Sequence, residues 1–312
     1  MNLRFVCIKL LRALITILIV LTFVFIVLRV SGDPIENLVG DEAPEEVIEF
    51  YRAKYGLDRP IYEQYILYLQ GVAQGDMGIS FKDERDAVDV VLERVPKTLQ
   101  LGLVSFTFSL LFGIPLGILA SLNRNSALDR FTMGFAVFGY SIPNFFLGIV
   151  LILIFAMWLR LLPSAGSGSL WHMLMPVITL GTAGAGSLAR FARSSMLEVL
   201  NKSYMRAAAA KGVPWLRRIS WHALPNAAIP IVTVIGFRLG DLIAGSVVTE
   251  TVFAWPGVGR LLVTSVSSRD LAIVQTILIT VAFTMVIANL LVDFLYGWLD
   301  PRIRVSSALE EA

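Results

Sequence analysis

One cysteine, Cys7, and two histidines, His172 and His222, are all that 312 residues supply of those two types. This scarcity excludes a disulfide framework and any Cys/His zinc cluster built from the chain alone. Charge is scarce as well: 16% of the residues are Asp, Glu, Lys or Arg and 56% are hydrophobic, against roughly 25% charged in an ordinary soluble domain. That imbalance excludes a water-soluble fold, and a net charge of +2 is too small to argue for nucleic acid as a partner. No G-x4-G-K-[ST] phosphate loop occurs. Nor does any nucleophile, acid pair or metal-ligand spacing stand out, so no catalytic residue and no metal site is assigned.

Long uncharged runs stand where those features are missing. Six can be traced: Ala13 to Leu28, Thr98 to Asn123, Phe131 to Leu159, a fourth within Leu161 to Ala189 starting near Leu170, then Ile219 to Thr249 and Leu271 to Leu299. Only Arg238 and Asp241 interrupt the fifth and only Asp293 the sixth. About 20 mostly apolar residues cross a bilayer as a helix, and too few amphipathic segments remain to cover six such helices in a soluble core. The pattern predicts an all-α membrane protein with six transmembrane helices. The first run is short and follows Lys9 and Arg12, as a cleaved signal peptide would. It lacks an A-x-A pattern, however, and Arg12 and Arg29 can reach the two interfaces, so an uncleaved first helix is expected.

Orientation follows from Lys and Arg in the connections. Arg190 to Arg218 holds seven basic residues against Glu198 alone, which places it in the cytoplasm. The N-terminus, the Asn123 to Arg130 turn and the tail with Arg302 and Arg304 fall on the same side, so both termini are expected inside. Between helices one and two, Val30 to Pro96 holds 15 of the 24 acids and six basic residues. It reads as a small external subdomain with a helix around Pro44 to Tyr51 and a second over Ile61 to Val72, striped by Tyr62, Tyr65, Leu69 and Val72. The expected segments are thus 1–30, the external 31–97, a core over 98–300 with a cytoplasmic loop at 190–225 and an external loop at 250–270, and a cytoplasmic tail at 301–312.

The cytoplasmic loop carries the strongest signal. Ser203 to Lys211 is alanine-rich and helix-forming, and Gly212 followed by Pro214 marks a helix end and the start of another. Ala207 to Ala210 present almost no side chain, while Lys202, Arg206, Lys211, Arg217 and Arg218 surround them with positive charge. A docking surface is the physical reading. A solvated turn that only enforces topology is the alternative, and a DNA-binding helix-turn-helix is disfavoured by the membrane helices on both sides.

Ala207-Ala208-x-x-x-Gly212, nine residues, then His222-Ala223-Leu224-Pro225 resembles the E-A-A-x3-G-x9-I-x-L-P signature of permease subunits of ATP-binding-cassette (ABC) importers. Arg206 replaces its Glu and His222 its Ile. Leu57-Asp58-Arg59-Pro60, Gly75-Asp76-Met77-Gly78, Glu93-Arg94-Val95-Pro96, the run from Glu250 to Arg260 and Leu299 to Arg304 are similar to the dipeptide/oligopeptide/nickel branch along nearly the whole chain. The resemblance implies a multi-pass subunit in a bacterial or archaeal plasma membrane, paired with a second homologous permease, two ABC ATPases and an extracytoplasmic binding protein. No cofactor is implied in this chain; ATP and Mg would be held by the ATPase subunits. Arg206, Ala207, Ala208, Lys211, Gly212, Val213, Pro214, Leu224 and Pro225 would form the ATPase-coupling element. Di- or oligopeptides are the expected cargo, though related permeases carry nickel, opines or oligosaccharides.

Within the membrane, Arg238 and Asp241 lie three apart on helix five and can pair. They either lock that helix to a neighbour or line the solute path, meeting a peptide's carboxylate or amine. Tyr140, Ser141, Pro143 and Asn144 interrupt helix three, as pathway lining or as a plain kink. Gly181, Gly184 and Gly186 suggest close helix packing. In the outer loop Phe253, Trp255, Pro256 and Val258 form an apolar patch with turns at Gly257 and Gly259. By resemblance, Glu250 to Arg260 would be a scoop-like element meeting the binding protein; a loop packed on the helix ends is the alternative. A self-contained ion-coupled carrier using Arg238, Asp241 and Asp293 is the competing function.

Overall fold

The computed structural model describes residues 3–30, 44–54, 57–80, 82–240 and 246–299. They form helices α1 (Leu3–Val30), α2 (Glu45–Lys54), α3 (Ile61–Gln74), α4 (Ala87–Leu122), α5 (Ala127–Ser141), α6 (Asn144–Leu151), α7 (Trp171–Leu200), α8 (Ser203–Ala210), α9 (Trp215–Arg217), α10 (Leu224–Gly240), α11 (Val247–Val252), α12 (Val258–Ser267) and α13 (Leu271–Leu299). α6 and α9 continue into wider π-helical turns, Ile152–Trp158 and Arg218–Ala223. α1 and α4 begin well before the uncharged runs they contain. A charge ends an apolar run without ending a helix, since Lys, Arg and Glu are good helix formers.

Among the described residues four stretches are long and apolar enough to cross a membrane: Cys7–Val27, Ala87–Leu122, Trp215–Gly236 and Leu271–Leu290. A fifth exists if α5 and α6, bent by 103° at Ile142 and Pro143, count as one span. The expected interruption of helix three is therefore a sharp corner. α7, expected as a further span, is 30 residues long, but its Gly, Ser, Thr and Arg residues dilute its hydropathy and its buried face is taken up by other helices.

The chain divides into two compact units, Met1–Lys97 with Gly257–Leu290, and Thr98–Pro256 with Leu291–Ala312. In the first, Ala87, Val90, Val91, Val258, Ile273 and Ile277 form the core, and Ser80 Oγ donates to the buried Asp270 carboxylate at 2.5 Å. The other Asp270 oxygen accepts from the Ile273 N–H at the start of α13. α3 meets α1 through Tyr65 and Tyr68, with ring centroids 5.1 and 5.4 Å from Phe25. Of the expected stripe, Tyr65, Leu69 and Val72 are half-buried and Tyr62 is exposed; Tyr68, outside the stripe, joins Tyr65 in the contact. Burial pushes the Tyr68 phenol up to about 12.

In the second unit α7 is central. Gly113 and Gly117 of α4 let its backbone close on α7, where an added Cβ would stand 2.6 Å from the Ala185 carbonyl oxygen and 2.3 Å from that of Ala189. Gly181, Gly184 and Gly186 face Phe108, Ser109 and Ala136 as closely, which is the packing role expected of them. Asp129 at the start of α5 holds Arg193 of α7 through two bonds of 2.5 and 2.8 Å.

Candidate functional site

The alanine-rich loop is built on the end of α7. After Leu200 the chain turns through Asn201 and Lys202 into α8, which is anchored by one side chain: Met205 is buried among Met196, Val199, Ile219, Ala223 and Ala227. Arg206, Ala207, Ala209, Ala210, Lys211, Gly212, Pro214 and Pro225 are exposed, with Ala208, Val213 and Leu224 half-buried. α8 ends in a Schellman turn: the Val213 N–H donates to the Ala208 carbonyl and the Gly212 N–H to the Ala209 carbonyl. Gly212 takes the left-handed φ of 75° that this turn requires. Pro214 then starts α9. Pro225, which has no N–H to donate, stands just past the π-helical turn. Lys202 is held above the ordinary lysine range by its hydrogen bond and charge pairing with Glu198, at 2.9 Å. Trp215, Leu216 and Trp221 are 53, 77 and 75% exposed.

A second feature lies among α4, α6, α7 and α10. A cavity of about 190 Å³ is lined by Ser105, Ser109, Asn144, Gly184, Arg238 and Ser246, among others. Asn144 and Arg238, from two separate sequence motifs, thus meet in one place. Tyr140 does not join them: it is 72% exposed, with the Arg190 guanidinium 5.7 Å over its ring. Ser141 is also exposed and outside the cavity. Asp241 lies outside the described residues, as do the side chain of Asp293 and all of Arg302 and Arg304. Three serines of the cavity escaped sequence reasoning. Ser105 and Ser109 carried a signal, being four apart and therefore on one face of the uncharged part of α4. Ser105 Oγ is buried with no hydrogen-bond partner among the described residues, while Ser109 Oγ donates to the carbonyls of Ser105 and Gly181.

The expected exposed patch after Glu250 is corrected. Phe253 and Trp255 are 2 and 1% exposed, and Gly257, Val258 and Gly259 are buried, Pro256 half-buried and Arg260 exposed. Trp255 packs with Leu101, Met173 and Val177, and Phe253 with Leu151 and Met175. Glu250 is fully buried, accepting from Thr98 Oγ1 at 2.7 Å and Ser246 Oγ at 2.9 Å. A turn rich in glycine and proline looked open in sequence because the helices that cover it are far away along the chain. Among the described residues no group of three His, Cys, Asp or Glu could hold a metal ion.

Residues 113–305 match the binding-protein-dependent transport system inner membrane component family, and residues 2–102 match its N-terminal region. The chain belongs to that family. It is 41% identical over 303 residues to the glutathione transport system permease protein GsiC of Escherichia coli, covering 97% of this chain and 99% of that one. The same protein of Shigella dysenteriae matches equally well, at 41% over 303 residues. Among solved structures, an inward-facing MetNI methionine ABC transporter superposes with a TM-score of 0.58 at 20% identity, over 68% of this chain and 96% of that one. An amino acid ABC transporter with histidines gives 0.53 at 16%, over 69% and 94%. These two likenesses concern the fold. The chain is thus an ABC importer permease subunit of the dipeptide/oligopeptide/nickel group, an inner-membrane component and not itself an enzyme.

Proposed function

We propose that this chain forms half of a translocation pathway for di- or oligopeptides and is driven through its 203–225 loop by separate ATPase subunits. The observation that carries this is the alanine surface of α8: exposed over Ala207, Ala209 and Ala210, stopped by a left-handed Gly212 and surrounded by lysine and arginine. Small side chains let a partner's backbone approach closely, and the Schellman turn makes the element stiff enough to transmit a push. In this reading the loop is cytoplasmic, six helices cross the membrane and both termini lie inside. A second permease, two ATPases holding ATP and Mg, and an extracytoplasmic binding protein complete the machine. The 250–270 stretch faces the binding protein through its exposed residues, Arg260 among them, with the buried aromatics as scaffold.

The cavity supports a peptide cargo. Arg238 and the start of α6, whose Pro143 offers no capping side chain, both present positive charge to a space that suits a carboxylate. The relatives named for glutathione transport point the same way, glutathione being a small peptide with free carboxylates. Reconstitution of the chain with its genomic neighbours tests the reading. Glutathione or dipeptide uptake that needs ATP, the ATPases and the binding protein is expected. Uptake by the chain alone, driven by an ion gradient, would overturn it.

A further inference from the structure

Beside the coupling loop, a cavity of about 310 Å³ opens among the end of α4, the last turn of α7 and the α8–α9 bend. Its lining is part apolar, with Leu122, Leu197 and Leu200, and part cationic, with Arg124, Arg206 and Arg218. No carboxylate lines it among the described residues. The Arg218 guanidinium lies 5.3 Å over the Trp215 ring, and its Nε is buried without a hydrogen-bond partner among the described residues. Of the acids nearby, Glu198 pairs with Lys202, and Asp129 is bonded to Arg193 while also feeling the Arg124 charge.

Guanidinium groups around one space repel each other, Asp129 offsetting part of this at Arg124, and the buried Arg218 N–H without an acceptor costs free energy. A free phosphate would satisfy the arginines but leave the leucines facing water. An amphiphile satisfies both, with a phosphodiester on the arginines and acyl chains on the leucines. The position fits too, because Leu122 closes the apolar helix α4, which is long enough to cross the membrane.

We propose that this cavity binds an anionic phospholipid, wedged between the ends of α4 and α7 and the coupling loop, so that the lipid supports the loop. The proposal rests on α4 crossing the membrane with the loop at its cytoplasmic end, and is independent of the solute carried.

The test uses the complex of this chain with its partners in mild detergent. The unfolding midpoint is followed as phosphatidylglycerol, phosphatidylcholine or inorganic phosphate is added. Phosphatidylglycerol should raise the midpoint and the other two should not, with Arg124→Gln, Arg206→Gln and Arg218→Gln each weakening the response about fivefold. Equal shifts with both lipids, a phosphate shift as large as that of phosphatidylglycerol, or an undiminished lipid response in all three variants would each overturn it. So would a response seen only after the ATPases are stripped away, which would give the site to an acidic side chain of theirs. Should the variants not fold, lipid extracted from the wild-type complex decides: enrichment of anionic lipid over the bulk membrane supports the site, and bulk composition refutes it. Uptake is not among these readouts, so failure of the transport reading would show separately.

Discussion

The 203–225 loop and the 250–256 segment look alike as sequences, each a short stretch with a proline, small residues and tryptophan, yet the structure treats their aromatics in opposite ways. Trp215 and Trp221 are 53 and 75% exposed, whereas Trp255 is 1% exposed. The difference comes from what the rest of the chain provides. Leu101, Met173 and Val177 close around Trp255, and the Trp255 N–H ties back to the Glu250 carbonyl at 2.8 Å. In the first loop Met205, Ile219 and Ala223 are drawn inward, while other alanines and large apolar side chains are left without cover. A surface of that composition invites a partner; a buried tryptophan holds the fold.

The sharpest way to break the comparison is to empty the buried side. Trp255→Ala should cost about 3–5 kcal/mol, the usual loss for deleting a buried large aromatic. The melting temperature of the purified chain should fall, with uptake lost only in proportion to folded protein. A variant that melts normally but does not transport would move Trp255 to the functional side.

The exposed side should behave in reverse. Ala207→Glu should leave the melting temperature nearly unchanged while uptake and ATPase coupling fall at least about fivefold, the low end of common coupling energies. Gly212→Ala should cost about 1 kcal/mol for a left-handed φ. It meets no clash, because nothing lies within 4 Å of the added Cβ. Gly212→Asn should recover most of the function, since asparagine tolerates that conformation. If uptake tracks stability in all three, the loop is only a topological turn.

How much of this was legible depended on the range of the cause. The bend at Gly212 and Pro214, the interruption before Asn144 and the glycine face of α7 are set by neighbours in the chain, and local chemistry announced them. The burial of Phe253 and Trp255 depends on Leu101, Leu151, Met173 and Met175, more than seventy residues away in sequence. No local pattern reports such partners. Helix starts were misjudged for a different reason, because charge marks where an apolar run ends and says little about where backbone hydrogen bonding stops. The meeting of Arg238 with Ser105 and Asn144 in one cavity was likewise beyond reach, since hydrophobic periodicity cannot register one helix against another.

Ser105 carries the comparison down to a single atom and gives the smallest effect. Its hydroxyl is enclosed like Trp255 but has no hydrogen-bond partner among the described residues. If the group belongs to the fold, Ser105→Ala removes an unsatisfied buried hydroxyl and should stabilise the chain by up to about 1 kcal/mol with transport unchanged. If it belongs to the path, stability should rise equally while the apparent affinity for a peptide falls, because the hydroxyl then finds its acceptor only when solute is present. The second outcome is expected, since Ser105 shares its cavity with Arg238 and the uncapped start of α6. Thermal unfolding and peptide-dependent uptake measured on the same preparation separate the two.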